Sequence, residues 1–298
     1  MKRRFLACFA ALTLGSMMFA GCSANTGSDT KANEASTTPA TSAEANTDTA
    51  RKGVKISIVG STTIAEPMEK LIEAYKAAGS LDNIEVQGNG SSAGIKAAID
   101  GTADIGMASR ELSEEEKGAG LVETVIAYDG IAVVVNPNNG VLGLTKEQVK
   151  DIFEGKITNW SEVGGVDKDI IVVTREAGSG TRGAFEEILK LLDENKASTI
   201  VETALVSEGT GAVMATVATK NAAIGFVSEG YLDDTVKPLA IDGVECTVEN
   251  VKAGSYTISR PLILVAQPNV KAEAQEAIDF IVSDAGQEII SEKYISIK

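Results

Sequence analysis

Ile170-Ile171-Val172-Val173-Thr174-Arg175-Glu176-Ala177-Gly178-Ser179-Gly180-Thr181-Arg182 is an apolar β-branched run followed by a small-residue turn. Ala184, Phe185, Ile188, Leu189 and Leu192 then recur at helical spacing. Strand, loop and helix in that order aim first-turn backbone N–H groups and the positive end of a helix dipole at one point. The glycines let a guest come close to the backbone. Ser179 and Thr181 add hydroxyls, and Arg175 and Arg182 add guanidinium forks. A small oxyanion suits such a loop, although the same residues alone also describe an ordinary capped helix after a glycine turn.

Repetition separates the two readings. Val54, Ile56 and Ile58 alternate with Lys55 and Ser57 as in a strand. Gly60-Ser61-Thr62-Thr63 follows, then a helix with Pro67 near its first turn and Met68, Leu71, Ile72 and Tyr75 on one face. A second unit has a strand at Ile84–Gln87, a loop at Gly88–Gly94 and a short helix at Ile95–Asp100. Ala103–Arg110 reads as a strand ending in a polar turn, and Ser113–Lys117 as an acidic helical piece. Ile131–Val135 is uniformly apolar and predicts a central strand, entered through Tyr128-Asp129-Gly130. Thr145–Gln148 is a capping box. Gly209–Thr219 and Ala272–Val282 read as helices, and Ala223–Val227 and Pro261–Ala266 as strands. The alternation predicts an α/β fold with largely parallel sheets. In such sheets ligands sit beyond the carboxyl ends of strands, where all three Ser/Gly loops fall.

The N-terminus carries Lys2, Arg3 and Arg4, an apolar run from Phe5 to Phe19, then Ala20-Gly21-Cys22. That run is short for a membrane span and ends in small residues, so residues 1–22 read as a lipoprotein signal peptide with Cys22 as the lipidated residue. Residues 23–52 contain no aromatic side chain and no aliphatic one larger than Ala, and read as a disordered tether. The remainder is long enough for two α/β lobes.

The formal net charge is −15. Without residues 1–22 there remain 24 basic and 42 acidic residues, a charge of −18. That balance argues against nucleic acid and anionic membrane surfaces as partners, but not against a small anion, which responds to local donors. Cys8 leaves with the signal, so Cys246 stands alone and no disulfide framework follows. The chain has no histidine. The usual general base, the commonest metal ligand and the Ser-His-Asp triad are therefore missing, and neither metal nor cofactor is expected.

Six segments together resemble the phosphate-binding lipoproteins of bacterial phosphate ABC importers. They are GSTTIAEP (60–67), GNGSSAGIKAAIDGTADIGMASREL (88–112), DGIAVVVNPNN (129–139), IFEGKITNWSEVGG (152–165), REAGSGTR (175–182) and AIGFVSEGYL (223–232). The resemblance spans the mature chain from about Val54. It implies the two-lobed periplasmic-binding-protein fold of type II, with two sheet-centred lobes joined by two crossing strands near Ile131 and Pro261. Lobe 1 is expected at 53–130 plus 255–298, and lobe 2 at 131–254. The implied function is binding of inorganic phosphate between the lobes and delivery to the ABC permease, by a non-enzymatic monomer lipid-anchored outside the cytoplasm.

By position, the resemblance gives phosphate contacts to Ser61, Thr62 and Thr63, to Ser91, and to Arg175, Ser179, Gly180 and Thr181. Ser109-Arg110 stands where better-known members carry a phosphate-contacting acid, and both residues are candidate contacts here. A carboxylate accepting the phosphate proton is then expected elsewhere: Asp129 first, Asp104 second. Ala177 replaces an acid that holds the arginine in some members, leaving Glu176 or a remote residue to do so. Three rivals remain open: a receptor for sulfate or molybdate, a serine hydrolase built on the G-x-S-x-G of Gly90–Gly94, and a structural or adhesive surface lipoprotein. The second lacks a base, and the third leaves the three Ser/Gly loops unexplained.

Overall fold

The computed structural model describes residues 53–298, so the signal peptide, Cys22 and the tether lie outside the described residues. In chain order the elements are β1 Lys55–Gly60, α1 Thr62–Ala77, β2 Asn83–Gly88, α2 Ser91–Ile99, β3 Ile105–Ala108, α3 Glu114–Gly118 and β4 Val122–Val135. There follow β5 Gly143–Leu144, α4 Lys146–Phe153, β6 Ile171–Arg175, α5 Gly180–Leu189, β7 Leu205–Ser207, α6 Thr210–Thr219 and β8 Ala223–Ser228. The last are β9 Lys237–Pro238, β10 Ala240–Ile241, α7 Val248–Lys252, β11 Ser259–Ala266, α8 Ala272–Val282, α9 Asp284–Ile290 and β12 Ile295–Ser296.

Hydrogen-bonded strands run in the order β2-β1-β3-β11-β4-β8-β6-β7, with β9 and β12 also paired to β4. β1 is parallel to β2 and β3, and β6 is parallel to β7 and β8. Between these parallel groups lie β4 and β11, antiparallel to each other and to their outer neighbours. β4 is 14 residues long and serves both sides. Its first part, Val122–Gly130, pairs with β11, and Ile131–Val135 pairs with β8.

The sequence reading begins that strand at Ile131, whereas the structure begins it at Val122. Glu123 and Tyr128 are exposed, so the first half lacks the continuous apolar run of the second. A register shift between Leu262 and Ile263 skips Ile126, and β3 joins β11 only from Ile263 onward. Pro261, which has no N–H, therefore sits before the doubly paired part of its strand.

Two large apolar cores flank the crossing strands. One gathers Ile56, Ile58, Ile64, Met68, Leu71 and Ile105 with Leu262, Leu264, Ala277 and Ile281. The other gathers Ile131–Val135 with Phe153, Trp160, Phe185, Val213 and Phe226. Phe185 stacks on Phe226 at 4.0 Å and meets Phe153 edge-on at 4.9 Å. The indole of Trp160 donates to Ala222 O at 3.0 Å, which ties its segment to the start of β8. Tyr256 and Ile258 belong to this second core, so the chain leaves it just before β11.

Candidate anion-binding site

β1, β3 and β6 deliver their carboxyl ends to one place, and α1, α2 and α5 start there. The first-turn N–H groups of a helix have no partner inside the helix, so those of Thr62, Thr63, Ser91, Gly180 and Thr181 are donors directed at the convergence. Ser61, Thr63, Ser91, Ser109, Ser179 and Thr181 are all buried there. Gly90 reaches the second loop with φ +99, and a Cβ on it would lie 3.0 Å from Gly178 O.

The loops are bonded to one another. Ser61 Oγ donates to Ser109 Oγ at 3.0 Å, and Ser91 and Ser109 hydroxyls lie 3.4 Å apart. Thr63 and Thr181 hydroxyls meet at 3.2 Å, and Ser92 N donates to Gly178 O at 3.2 Å. Arg175 Nη2 donates to Thr62 Oγ1 at 3.1 Å, and Tyr231 Oη to Thr62 O at 3.2 Å. Ser61, Thr62, Thr63, Ser91, Ser109, Arg175, Ser179, Gly180 and Thr181 thus stand in one polar cluster between the two cores.

Arg175 is 2% exposed. Its Nε and Nη2 donate to the two oxygens of Glu176 at 2.8 and 2.7 Å, a fork-to-fork pair. Burial would raise the Glu176 carboxyl, but Arg175 and the Gly209 N–H hold it below its ordinary range. Arg182 points elsewhere, to Glu186 at 2.7 Å and to Arg175 O at 2.9 Å.

Three expectations need correcting. Arg110 does not join the cluster: its guanidinium grips both oxygens of Glu116 at 2.7 and 2.8 Å and reaches Ser92 Oγ at 3.2 Å. An acidic helix capped by Ser113 brings that carboxylate to it. Asp104 precedes β3 and so sits at the end of the sheet opposite the loops, bonded to Ser57 N at 2.9 Å and to Lys271 Nζ at 2.8 Å. Asp129 lies within β4 and is not a bare acceptor facing the hydroxyls. Its Oδ1 accepts from Ser228 Oγ at 2.9 Å, and its Oδ2 accepts from Arg260 Nε and Nη2 at 3.1 and 2.8 Å. Burial holds the Asp129 carboxyl above its ordinary range, against the downward pull of Arg260 and Ser228. All three bonds are donated to it, which is the arrangement of an ionised carboxylate.

Arg260 is the residue the sequence reading missed, together with Thr210, whose hydroxyl lies 3.4 Å from Arg175 Nη1. A signal existed in Ser259-Arg260-Pro261-Leu262-Ile263-Leu264: a charge at the edge of an otherwise apolar strand needs a buried counter-charge. β11 places Arg260 directly across from Asp129.

Residues 30–285 match the PBP superfamily domain. The chain is 34% identical to the phosphate-binding protein PstS of Bacillus subtilis over 259 residues, 84% of this chain and 83% of that one. A Clostridium perfringens structure, described as a phosphate ABC transporter substrate-binding protein with bound phosphate, is similar at 46% identity and TM-score 0.78. That match covers 82% of this chain and 100% of the other. An ABC-type phosphate transport receptor from Vibrio cholerae is similar at 39% identity and TM-score 0.71, covering 81% of this chain and 99% of the receptor. With its two cores, its paired crossing strands and its Ser/Gly loops at the strand ends, the chain belongs to the PBP superfamily and groups there with the phosphate-binding PstS proteins.

Proposed function

We propose that this chain binds inorganic phosphate in the cleft between its lobes and hands it to the permease of an ABC importer. The observation that carries this reading is the convergence of three helix starts and six buried hydroxyl side chains on the buried guanidinium of Arg175. Backbone N–H groups and arginine only donate, whereas serine and threonine hydroxyls donate or accept. A partly protonated phosphate needs both kinds of partner. Sulfate has no proton to give, so a hydroxyl fixed as an acceptor by its neighbours discriminates against it.

Binding rather than hydrolysis is supported by the partner of Ser92, the central serine of G-x-S-x-G. Its hydroxyl accepts from Arg110, a cation that takes no proton. For the lobes, we infer one made of residues 53–130 and the chain from about Ser259, and a second made of 131–258, with β4 and β11 crossing between them. The lobes read as the halves of a clamp. Small residues before Cys22 support export followed by lipid anchoring of that cysteine on the outer face of the cell membrane.

Calorimetric titration with phosphate, sulfate and molybdate near neutral pH tests the function, after dialysis through a partly unfolded state to strip bound anion. Tight one-to-one phosphate binding with weak sulfate binding is expected. Preference for sulfate or molybdate would overturn the phosphate assignment while leaving the site in place, and binding of none would overturn both.

A further inference from the structure

Among the described residues, the buried arginines are Arg175 and Arg260. The loops account for the first. Arg260 belongs to no loop and sits on β11, 3% exposed, where both crossing strands pass behind the cleft. Its guanidinium reaches in two directions. Nε and Nη2 hold Asp129 of β4 at 3.1 and 2.8 Å. Nη1 donates to Ser109 O at 3.0 Å, and Nη2 lies 3.5 Å from Thr63 Oγ1. Thr63 meets Thr181 of the opposite lobe, and Ser109 meets Ser61 and Ser91. One side chain therefore touches the hydroxyl cluster at two points while being anchored to the other crossing strand.

Fold stability is a poor account of this pair. A buried ion pair is often replaced by apolar residues at no cost, because desolvation offsets the attraction. The apolar neighbours Leu262, Ile263 and Leu264 show what the strand uses where only packing matters. The guanidinium has five N–H donors, and the bonds described above use four.

We propose that Arg260 is a second cationic residue of the anion site and that Asp129 is a positioning and specificity residue acting through it. This assignment rests on the reading of the cleft as a phosphate site. Arg260 orients Thr63 and Ser109 and supplies positive potential from beneath the guest. Asp129 cancels its net charge, just as Glu176 cancels that of Arg175. The cleft then presents donors without net positive charge, which favours a protonated, less charged anion over a fully ionised one. Removing the Asp129 charge leaves an uncompensated cation under the site, and the fully ionised anion gains more from it than the protonated one does.

Three variants of the full chain, Arg260→Gln, Asp129→Asn and the double variant, test this by calorimetry with phosphate and sulfate and by melting without anion. Arg260→Gln is expected to weaken phosphate binding roughly 10- to 100-fold, the range for a hydrogen bond to a charged group. Asp129→Asn is expected to raise the ratio of sulfate to phosphate affinity on the order of tenfold. The double variant carries a neutral amide pair in place of the ion pair. It is expected to melt near the unmodified protein while its phosphate affinity stays at the Arg260→Gln level, so an unstable single variant does not close the test. A double variant that regains full phosphate affinity would overturn the assignment, as would an Arg260→Gln protein binding within about threefold of the unmodified one. An unchanged anion ratio in Asp129→Asn would overturn the role given to Asp129. Failure of the unmodified protein to bind phosphate would instead refute the reading on which the assignment rests.

Discussion

Gly180 is the position at which a single methyl group should separate closure from folding. A Cβ built on it would lie 2.1 Å from Ser91 Oγ, 2.7 Å from Ser109 Oγ and 2.8 Å from Ser91 Cβ. Ser91 and Ser109 are buried and held by their mutual bond and by Ser61, so neither can swing far aside. Relief requires the third loop to withdraw from the second by an ångström or more, breaking the Ser92 N to Gly178 O bond. Overpacking of this kind costs about 1–3 kcal/mol. Since opening the lobes removes the clash, the cost falls on the closed, anion-holding state. Phosphate affinity of Gly180→Ala should drop roughly 5- to 150-fold. The ligand-free melting temperature should hold or rise slightly, because Gly180 is not among the positive-φ glycines and alanine suits a helix start. Gly178→Ala is the control: the same loop, nothing within 4 Å of the added methyl, and no positive φ. Calorimetry and thermal melting of both variants decide the matter. Equal affinities for the two, or a ligand-free destabilisation of Gly180→Ala as large as its loss of binding energy, would refute the wedge.

Arg110→Ala should leave phosphate affinity within about threefold, because its ion pair with Glu116 lies outside the cluster and such partly exposed pairs contribute little; a larger calorimetric loss would return Arg110 to the site. Tyr231→Phe removes the bond from one lobe to the Thr62 carbonyl of the other and should speed phosphate release up to about tenfold in stopped-flow measurements. Burial, with Asp129 and Glu249 nearby, pushes the Glu229 carboxyl up to about 7 from an ordinary 4.5. The folded protein therefore keeps that proton where the unfolded chain loses it, and stability falls as pH rises through this window. Half-burial limits the loss to about 1–2 kcal/mol, and melting curves of Glu229→Gln from pH 4.5 to 8 should show it removed.

The three oxyanion loops were legible because each follows an apolar run and consists of residues that few other roles require together: glycine where the backbone is approached, serine or threonine where a helix begins. Asp129 was legible as an acid at the mouth of a buried strand. Its function was not, since that depends on Arg260, 131 positions further along, and no local period connects the two. Arg110 misled for the same reason. Six residues ahead of Glu116, it turns toward a capped acidic helix that sequence position alone does not place against it. The first half of β4 escaped because its exposed Glu123 and Tyr128 interrupt the apolar run that marks Ile131–Val135.

β4 runs without interruption from one core to the other, and β11 is bonded to it through Ser259 and Gly130. A connection of this kind bends as a narrow two-stranded ribbon and not as a free swivel: the lobes can rock by changing the ribbon's twist but cannot slide past each other without breaking ladder bonds. Loading of the cleft should consequently be audible in the strand behind it. Amide hydrogens between Ile126 and Ile131 should exchange more slowly once an anion locks the twist, giving a reporter of occupancy that never touches the guest.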